Sequence, residues 1–176
     1  MSDKRERILA YEWALAMYYS HKNFAVSREV GLPYLDQKNH YWTKQRADFI
    51  AVNKRHEVII VETKSCWSDF ATDHKWQRYL QHCNKFYFAS DLRTAECIVE
   101  FLKNVPEAKG VGVIAFEPDR FSFNMKFLVP ARSHERQTPI EPILWQMAAR
   151  SFDSPWDSPR GKLSITRETK ERTTKN

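Results

Sequence analysis

The stretch "RADFIAVNKRHEVIIVETKS", residues 46–65, decides the fold because it predicts a buried β-hairpin. Two apolar runs, 47–52 and 57–63, flank the polar turn 53–56, which is the pattern of two antiparallel strands joined by a short connection. Both faces of each run are largely apolar, so the hairpin is predicted at the centre of a sheet that is covered on both sides. Three charged residues interrupt these apolar strands or follow them: Asp48, Glu62 and Lys64.

Pairing about a turn centred near Arg55 brings these three charges together. It places Asp48 across from Glu62, with Cβ atoms roughly 5 Å apart. Lys64 lies two residues beyond Glu62 and points to the same face of the sheet. Opposed carboxylates destabilise a sheet unless a cation lies between them, and oxygen ligands at this spacing suit a hard cation such as Mg²⁺. The alternative is a structural ion pair, in which Lys64 neutralises one carboxylate.

The rest of the chain predicts a mixed α/β domain with the element order α-β-ββ-α-β-α-β-β-α. Helical periodicity predicts helices over residues 3–22, 68–84, 92–104 and 139–152. Strands are predicted over residues 23–30, 85–90, 110–117 and 120–129, and residues 31–45 are predicted as a polar loop. Residues 1–152 therefore form the predicted domain. Residues 153–176, which are rich in Ser, Thr, Pro and charge, are predicted to be a disordered basic tail.

Two glutamates are candidates for a third carboxylate beside Asp48 and Glu62. Glu12 is the only charge in the segment "ILAYEWALAMYY", and its spacing places it on the apolar face of the first helix, pointing inward. A different rotation of the helix would leave Glu12 exposed. Glu29, in the strand "SREV", is the other candidate, although a strand residue can equally face solvent.

The charge balance and several side chains favour a polyanionic partner. The net charge of +6 and the pI near 9.2 point to nucleic acid before membrane. The candidate phosphate-contacting or base-stacking residues are Arg46, Lys75, Gln77, Arg78, Trp42 and Lys44. The alternative for each of them is an ordinary solvated surface position.

The sequence contains no stretch that approaches 18 apolar residues, and its start lacks the apolar core of a signal peptide. The three cysteines form no CxxC pair, as is typical of reduced thiols in the cytosol. We therefore expect a cytoplasmic protein with no membrane partner.

Taken in order, these residues resemble the PD-(D/E)XK nuclease superfamily. "RAD" stands for the usual "PD", and "ETK" supplies the E-x-K element. "EWALAMYYSHKNFAV" is similar to the opening of archaeal Holliday-junction resolvases, which places Glu12 on their first acidic position. The resemblance is closer to MmcB-type bacterial DNA repair proteins, through "RADFIAV", "SDF", "D-x-KW-x-x-Y" and "FYFA", and it covers about residues 8 to 117.

The resemblance implies a restriction-endonuclease-like mixed sheet flanked by helices and metal-dependent hydrolysis of DNA phosphodiesters. Asp48, Glu62 and the backbone carbonyl of Thr63 would hold Mg²⁺ or Mn²⁺, and Glu12 would complete the metal shell. Lys64 would orient the attacking water and stabilise developing charge. The products would carry 5′-phosphate and 3′-hydroxyl ends. Many relatives that cut both strands act as dimers, so a homodimer is compatible with the resemblance.

Three other functions remain open at the level of sequence. The chain is compatible with a non-catalytic DNA-binding repair protein on a nuclease fold, with an RNA-directed nuclease, and with an α/β protein without a nucleic-acid role. The pattern of Asp48, Glu62 and Lys64 does not distinguish single-stranded, nicked or branched substrates.

Overall fold

The computed structural model describes residues 2–36, 41–118 and 123–151, with side chains described in 4–32, 45–117 and 124–150. The helices are α1 (Ser2–His21), α2 (Trp67–Ala71), α3 (Leu92–Leu102) and α4 (Glu141–Ser151), and two 3-10 helices span Trp76–His82 and Pro106–Ala108. The strands are β1 (Phe24–Asp36), β2 (Tyr41–Asn53), β3 (Val58–Thr63), β4 (Lys85–Asp91), β5 (Gly112–Pro118) and β6 (Phe123–Val129). The predicted tail, residues 153–176, lies outside the described residues.

The six strands form one sheet in the order β1-β2-β3-β4-β5-β6. The pairs β1–β2 and β2–β3 are antiparallel, the pairs β3–β4 and β4–β5 are parallel, and β6 returns antiparallel to β5. Each parallel pair needs a crossover connection, which residues 64–84 and the segment containing α3 provide. This mixed sheet with flanking helices confirms the predicted fold class, and the 46–65 hairpin occupies interior strands as expected.

Apolar side chains cover both faces of the sheet. On one face, α1 packs through Tyr11, Leu15 and Tyr19, and the Tyr11 ring stacks on Phe116 with ring centroids 4.4 Å apart. On the opposite face, α3, α4 and the 3-10 helix Trp76–His82 pack against the sheet. A core on each side explains why the hairpin strands are apolar on both faces.

The regular alternation of side chains between the two faces of the sheet is interrupted at Glu29 in β1 and at Asp48 in β2. In a regular strand, residues two or four apart share a face, yet Val26 packs on the α1 side while Val30 packs on the opposite side. In β2, Phe49 packs on the α1 side of the sheet, whereas Ala47, two residues before it, packs on the opposite side. Glu29 has a φ of +55°, a left-handed conformation that costs a non-glycine residue about 1–3 kcal/mol. The sheet is thus distorted where the candidate carboxylates lie.

The prediction of a loop over residues 31–45 is wrong for most of this segment. Strand β1 continues to Asp36 and β2 begins at Tyr41, so most of this segment is a long antiparallel ribbon in which Pro33 pairs with Lys44. Strand β1 is the edge of the sheet, and an edge position tolerates a proline that lacks an N–H. Polar composition was therefore a poor guide to this segment.

The continuous helix predicted over residues 68–84 is also wrong. It is divided into α2 and the 3-10 helix Trp76–His82, with residues 72–75 between them. The buried side chains of the second part are Trp76, Tyr79 and His82, which recur every three residues as the 3-10 geometry requires. The break sets Asp73 apart from both helical segments.

Within the part of the chain that the structure describes, no helix combines the length and the apolar character needed to cross a membrane.

Candidate active site

The hairpin register confirms the predicted approach of the two central acidic residues. Phe49 pairs with Val61, so the next position along the ladder brings Asp48 opposite Glu62. The Asp48 backbone N–H donates to Oε1 of Glu62 over 3.2 Å. Both residues line a cleft of about 700 Å³ together with Glu12, Thr63 and Lys64, which we call the carboxylate cleft.

Thr63 holds the Asp48 side chain in place. Its backbone N–H donates to Oδ2 of Asp48 over 2.9 Å, and its hydroxyl donates to the same oxygen over 3.1 Å. In a strand the N–H and C=O of one residue face the same neighbour. The Thr63 carbonyl is therefore directed toward β2, the strand that carries Asp48. This orientation brings a backbone oxygen to the same side as the carboxylate.

Lys64 lies between two carboxylates. Its Nζ is 2.6 Å from Oδ2 of Asp73 and 3.6 Å from Oε2 of Glu62. Its backbone N–H donates to the Ala89 carbonyl, and the Ser90 hydroxyl donates to its carbonyl, so the residue is anchored to β4. Asp73, the first residue of the D-x-KW-x-x-Y motif, was not among the predicted site residues, because the helix predicted over 68–84 gave no sign that this residue would contact Lys64.

The buried charges of the carboxylate cleft perturb one another. Burial raises the pKa of Glu62 well above its usual value of 4.5, and the neighbouring Asp48 raises it further. Burial likewise raises the pKa of Asp48, although the bonds from Thr63 oppose the shift. For Lys64, burial disfavours the ammonium, but Glu62 and Asp73 outweigh it and raise the pKa above 10.5. Lys64 is therefore a persistent cation, whereas Asp48 and Glu62 resist ionisation.

Glu12 points inward, as its helical spacing predicted. The side chain is 2% exposed and forms an ion pair with Arg28 of β1. Sequence analysis missed Arg28, because nothing in the strand pattern indicated that it would face α1. Burial raises the pKa of Glu12 to about 7 despite this arginine.

Glu29, the other candidate for a third carboxylate, also lines the carboxylate cleft. Its Oε2 lies 2.7 Å from Nη1 of Arg46, and its side chain is 34% exposed. Glu12 and Glu29 are thus each paired with an arginine. Which of them would join a metal shell stays a prediction.

Carboxyl groups outnumber cationic groups at the centre of the cleft. Asp48, Glu62 and Asp73 are three carboxylates, and among the described side chains Lys64 is the cation in direct contact with this group. Within the described ranges, no group of three or more His, Cys, Asp or Glu side chains has the geometry of a metal site. The donor set consists of two carboxylates and a directed backbone carbonyl, which fits Mg²⁺ because this ion retains several waters and takes one or two carboxylates.

The raised pKa of Glu12 predicts a pH-dependent stability. The folded protein binds this proton more tightly than the unfolded chain, so the contribution is complete below pH 4.5 and is lost as the pH rises through about 7. Between about pH 5 and 8, the wild type is expected to lose roughly 2–3 kcal/mol relative to Glu12→Gln. Arg28, Asp48 and Glu29 face Glu12 in both proteins, so their direct effects largely cancel. Urea denaturation at each pH measures the difference, and a pH-independent difference would contradict the assignment.

The predicted nucleic-acid residues lie in different places. Arg46 lines the carboxylate cleft and is 61% exposed. Gln77 and Arg78 instead line a separate cavity of about 730 Å³, so they do not flank the carboxylates as their sequence position had suggested. Lys75 is exposed, and its backbone N–H donates to Asp73. The remaining two, Trp42 and Lys44, belong to β2, but their side chains lie outside the described set.

Fold and site together define a class: a restriction-endonuclease-like α/β domain with two opposed carboxylates and a lysine at the end of the central hairpin. A protein-family model described as "DNA repair protein MmcB-like" matches residues 6–114 of this chain. The chain belongs to this family, and that membership supports a role in DNA repair and an interaction with DNA.

A solved structure with a similar fold is that of SPO1766, a protein of unknown function from Silicibacter pomeroyi. The two superpose with a TM-score of 0.56 at 19% sequence identity, over 85% of this chain and 91% of the other. No curated protein matches the sequence. At this level of identity the structural likeness concerns the fold alone.

Proposed function

We propose that this protein is a Mg²⁺- or Mn²⁺-dependent nuclease of the PD-(D/E)XK type that hydrolyses DNA phosphodiesters in repair. The observation that carries the proposal is the convergence of Asp48, Glu62 and Lys64 in one cleft, held by hydrogen bonds through Thr63 and Asp73. One ammonium faces three carboxyl groups there, and a bound divalent cation would supply the positive charge that lets Asp48 and Glu62 ionise. Family membership supports DNA as the substrate.

Asp48, Glu62 and the Thr63 carbonyl would hold the metal, which when bound supplies Lewis-acid polarisation of the phosphate and activation of water. The raised pKa of Lys64 favours its ammonium form, which suits it to stabilising negative charge on the phosphoryl oxygens. Attack of water on phosphorus with departure of the 3′-oxygen would leave 5′-phosphate and 3′-hydroxyl ends. The attacking water would give up its proton to bulk water, and the departing oxygen would take a proton from water.

The orientation of Lys64 follows from its contacts. Asp73 fixes the ammonium at 2.6 Å, and Glu62 lies within 3.6 Å, so the charge is held before substrate arrives. A cation that needs no reorganisation stabilises a transition state more effectively than a mobile one. Asp73 thus acts as a positioning residue for Lys64.

The test is cleavage of supercoiled plasmid and of circular single-stranded DNA in Mg²⁺, Mn²⁺ or EDTA. Metal-dependent cutting by the wild type and its loss in Glu62→Gln are the expected results. Glu100→Gln is the matched control, because Glu100 is 71% exposed on α3 and pairs with Lys103 on the surface. Retained cutting by Glu62→Gln would remove the basis of the proposal. DNA binding without cutting by the wild type would favour the non-catalytic repair protein instead.

A further inference from the structure

A second cavity adjoins the carboxylate cleft. It has a volume of about 610 Å³, within the range of ligand-binding pockets, and lies between α4 and the part of the β1–β2 ribbon beyond the interruption at Glu29 and Asp48. We call it the Trp145 pocket. The residues of its lining that matter here are Gly31, Gln45, Arg46, Trp145, Gln146 and Arg150.

Arg46 lines both the Trp145 pocket and the carboxylate cleft. Its guanidinium pairs with Glu29 at the cleft, and its backbone carbonyl accepts a hydrogen bond from the Tyr79 hydroxyl, which fixes the main chain between the cavities. A chain of phosphates that crosses the cleft would therefore pass an exposed guanidinium on entering the second cavity.

Gln45 provides an unsatisfied hydrogen-bonding group in the wall of the pocket. The residue is 6% exposed, and neither its amide nitrogen nor its amide oxygen has a hydrogen-bond partner among the described residues. A buried amide without partners is costly, and in native structures such a group is uncommon. The glutamine amide has both hydrogen-bond donors and an acceptor. The edge of a nucleobase also carries donors and acceptors and can pair with it.

Trp145 provides an exposed aromatic surface at the same pocket. It is 74% exposed, more than any other large apolar side chain that the structure describes. The helix packs on the sheet through Ile143 and Met147, which are 1% and 9% exposed, so Trp145 is not needed to hold α4 in place. An indole in contact with solvent, in a pocket that also contains Arg46 and Arg150, is the kind of platform on which unpaired bases stack.

We propose that the Trp145 pocket receives one unpaired base of single-stranded DNA, whose backbone runs past Arg46 into the carboxylate cleft. The path of the DNA strand into the carboxylate cleft rests on the proposed nuclease function. The substrate is then DNA with an unpaired segment next to the position of cleavage. Trp145 stacks on the base, Gln45 hydrogen-bonds its edge, and Arg46 and Arg150 contact the flanking phosphates. Glu141 also lines the pocket, so its charge is mixed rather than uniformly basic.

The combination of groups favours a base over other occupants. A fully paired duplex keeps its bases stacked and its phosphates outside, so it would leave both the indole and the buried amide unused. An apolar protein segment could satisfy the Gln45 amide through its backbone, but it carries no phosphate for Arg46 and Arg150. An unpaired nucleotide supplies a π-face, hydrogen-bonding edge groups and a phosphate at once.

Binding is measured in EDTA, so that its outcome is independent of cleavage. The full chain is titrated into a labelled single strand and into the corresponding duplex at one fixed salt concentration, with anisotropy as the readout. Trp145→Ala is expected to weaken single-strand binding about tenfold, because one base–aromatic stack is lost. Duplex binding, which depends on phosphate contacts, is expected to change by less than about twofold.

The matched control is Trp13→Ala, since Trp13 is 51% exposed on α1 and does not line the Trp145 pocket. The proposal would be overturned if the two alanine variants lost single-strand affinity equally. It would also be overturned if Trp145→Ala lost affinity for single strand and duplex equally. Trp145→Phe retains an aromatic face and is expected to restore most of the single-strand affinity.

The Gln45→Leu variant tests whether the Gln45 amide binds the ligand or stabilises the fold. Because the amide has no partner among the described residues, its removal is expected to leave the melting temperature unchanged or higher, while single-strand binding weakens. A melting temperature lowered by several degrees with unchanged binding would overturn the role of Gln45 and with it the pocket. Failure of the nuclease proposal would instead appear as intact single-strand preference without any metal-dependent cutting.

Discussion

Asp48→Asn is expected to lower metal-dependent cleavage of DNA by at least about a thousandfold. The substitution keeps the shape of the side chain and one oxygen that can accept the bonds from Thr63, but it removes the negative charge that a divalent cation requires. It also removes the repulsion between Asp48 and Glu62, so the fold is expected to be at least as stable as in the wild type.

Three measurements on Asp48→Asn separate catalysis from folding. Cleavage rates test the activity, Mn²⁺ titration tests the metal affinity, and thermal denaturation tests the fold. DNA binding in EDTA is expected to be retained or tightened, because a negative charge is removed from the path of the phosphates. An Asp48→Asn protein that cuts as fast as the wild type would refute the site. Glu100→Gln again controls for the loss of a surface carboxylate.

Lys64→Met is expected to cost about 3–5 kcal/mol of stability at neutral pH, because removing one partner from a buried ion pair leaves uncompensated charge. The Lys64 side chain is 7% exposed, and its two carboxylate partners are 6% and 13% exposed. For a domain of this size, such a loss corresponds to a decrease in melting temperature of about 10 °C. Methionine preserves the unbranched stem, so packing changes are small by comparison.

Acid is expected to reduce the destabilisation caused by Lys64→Met. The pKa of Glu62 is already raised by burial and Asp48, and loss of the ammonium raises it further, so lowering the pH neutralises the unpaired carboxyl. The matched control is Lys103→Met, whose exposed pair with Glu100 is expected to contribute less than about 1 kcal/mol. Equal melting temperatures for Lys64→Met and the wild type at neutral pH would show that the buried pair is not required.

Several features of the site follow from local rules and were predictable. The hairpin register depended on the positions of one turn and two apolar runs, and it brought Asp48 opposite Glu62 as expected. The inward direction of Glu12 followed from helical spacing alone. Both inferences concern residues whose geometry is set by the regular periods of a single strand pair or helix.

The wrong predictions arose where long-range packing outweighed local composition. The polar segment 31–45 is largely strand because β1 and β2 continue their ladder past the interruption at Glu29, and α4 packs on this extension. The segment 68–84 is divided at residues 72–75, where Asp73 contacts Lys64, and in the second part a period of three buries Trp76 and His82. The packing of α4 on β1 and the contact of Asp73 with Lys64 both involve residues outside these two segments.

The sequence by itself determined the mixed α/β class, the central hairpin and the meeting of Asp48 with Glu62, because strand and helix periods and hairpin register are local properties of the chain. Only the tertiary structure decided that Arg28 pairs with Glu12, that Asp73 holds Lys64, and that α4 presents Trp145 beside Gln45. These contacts join residues far apart in the chain, and their partners are selected by the burial and charge balance of the folded protein rather than by spacing along it.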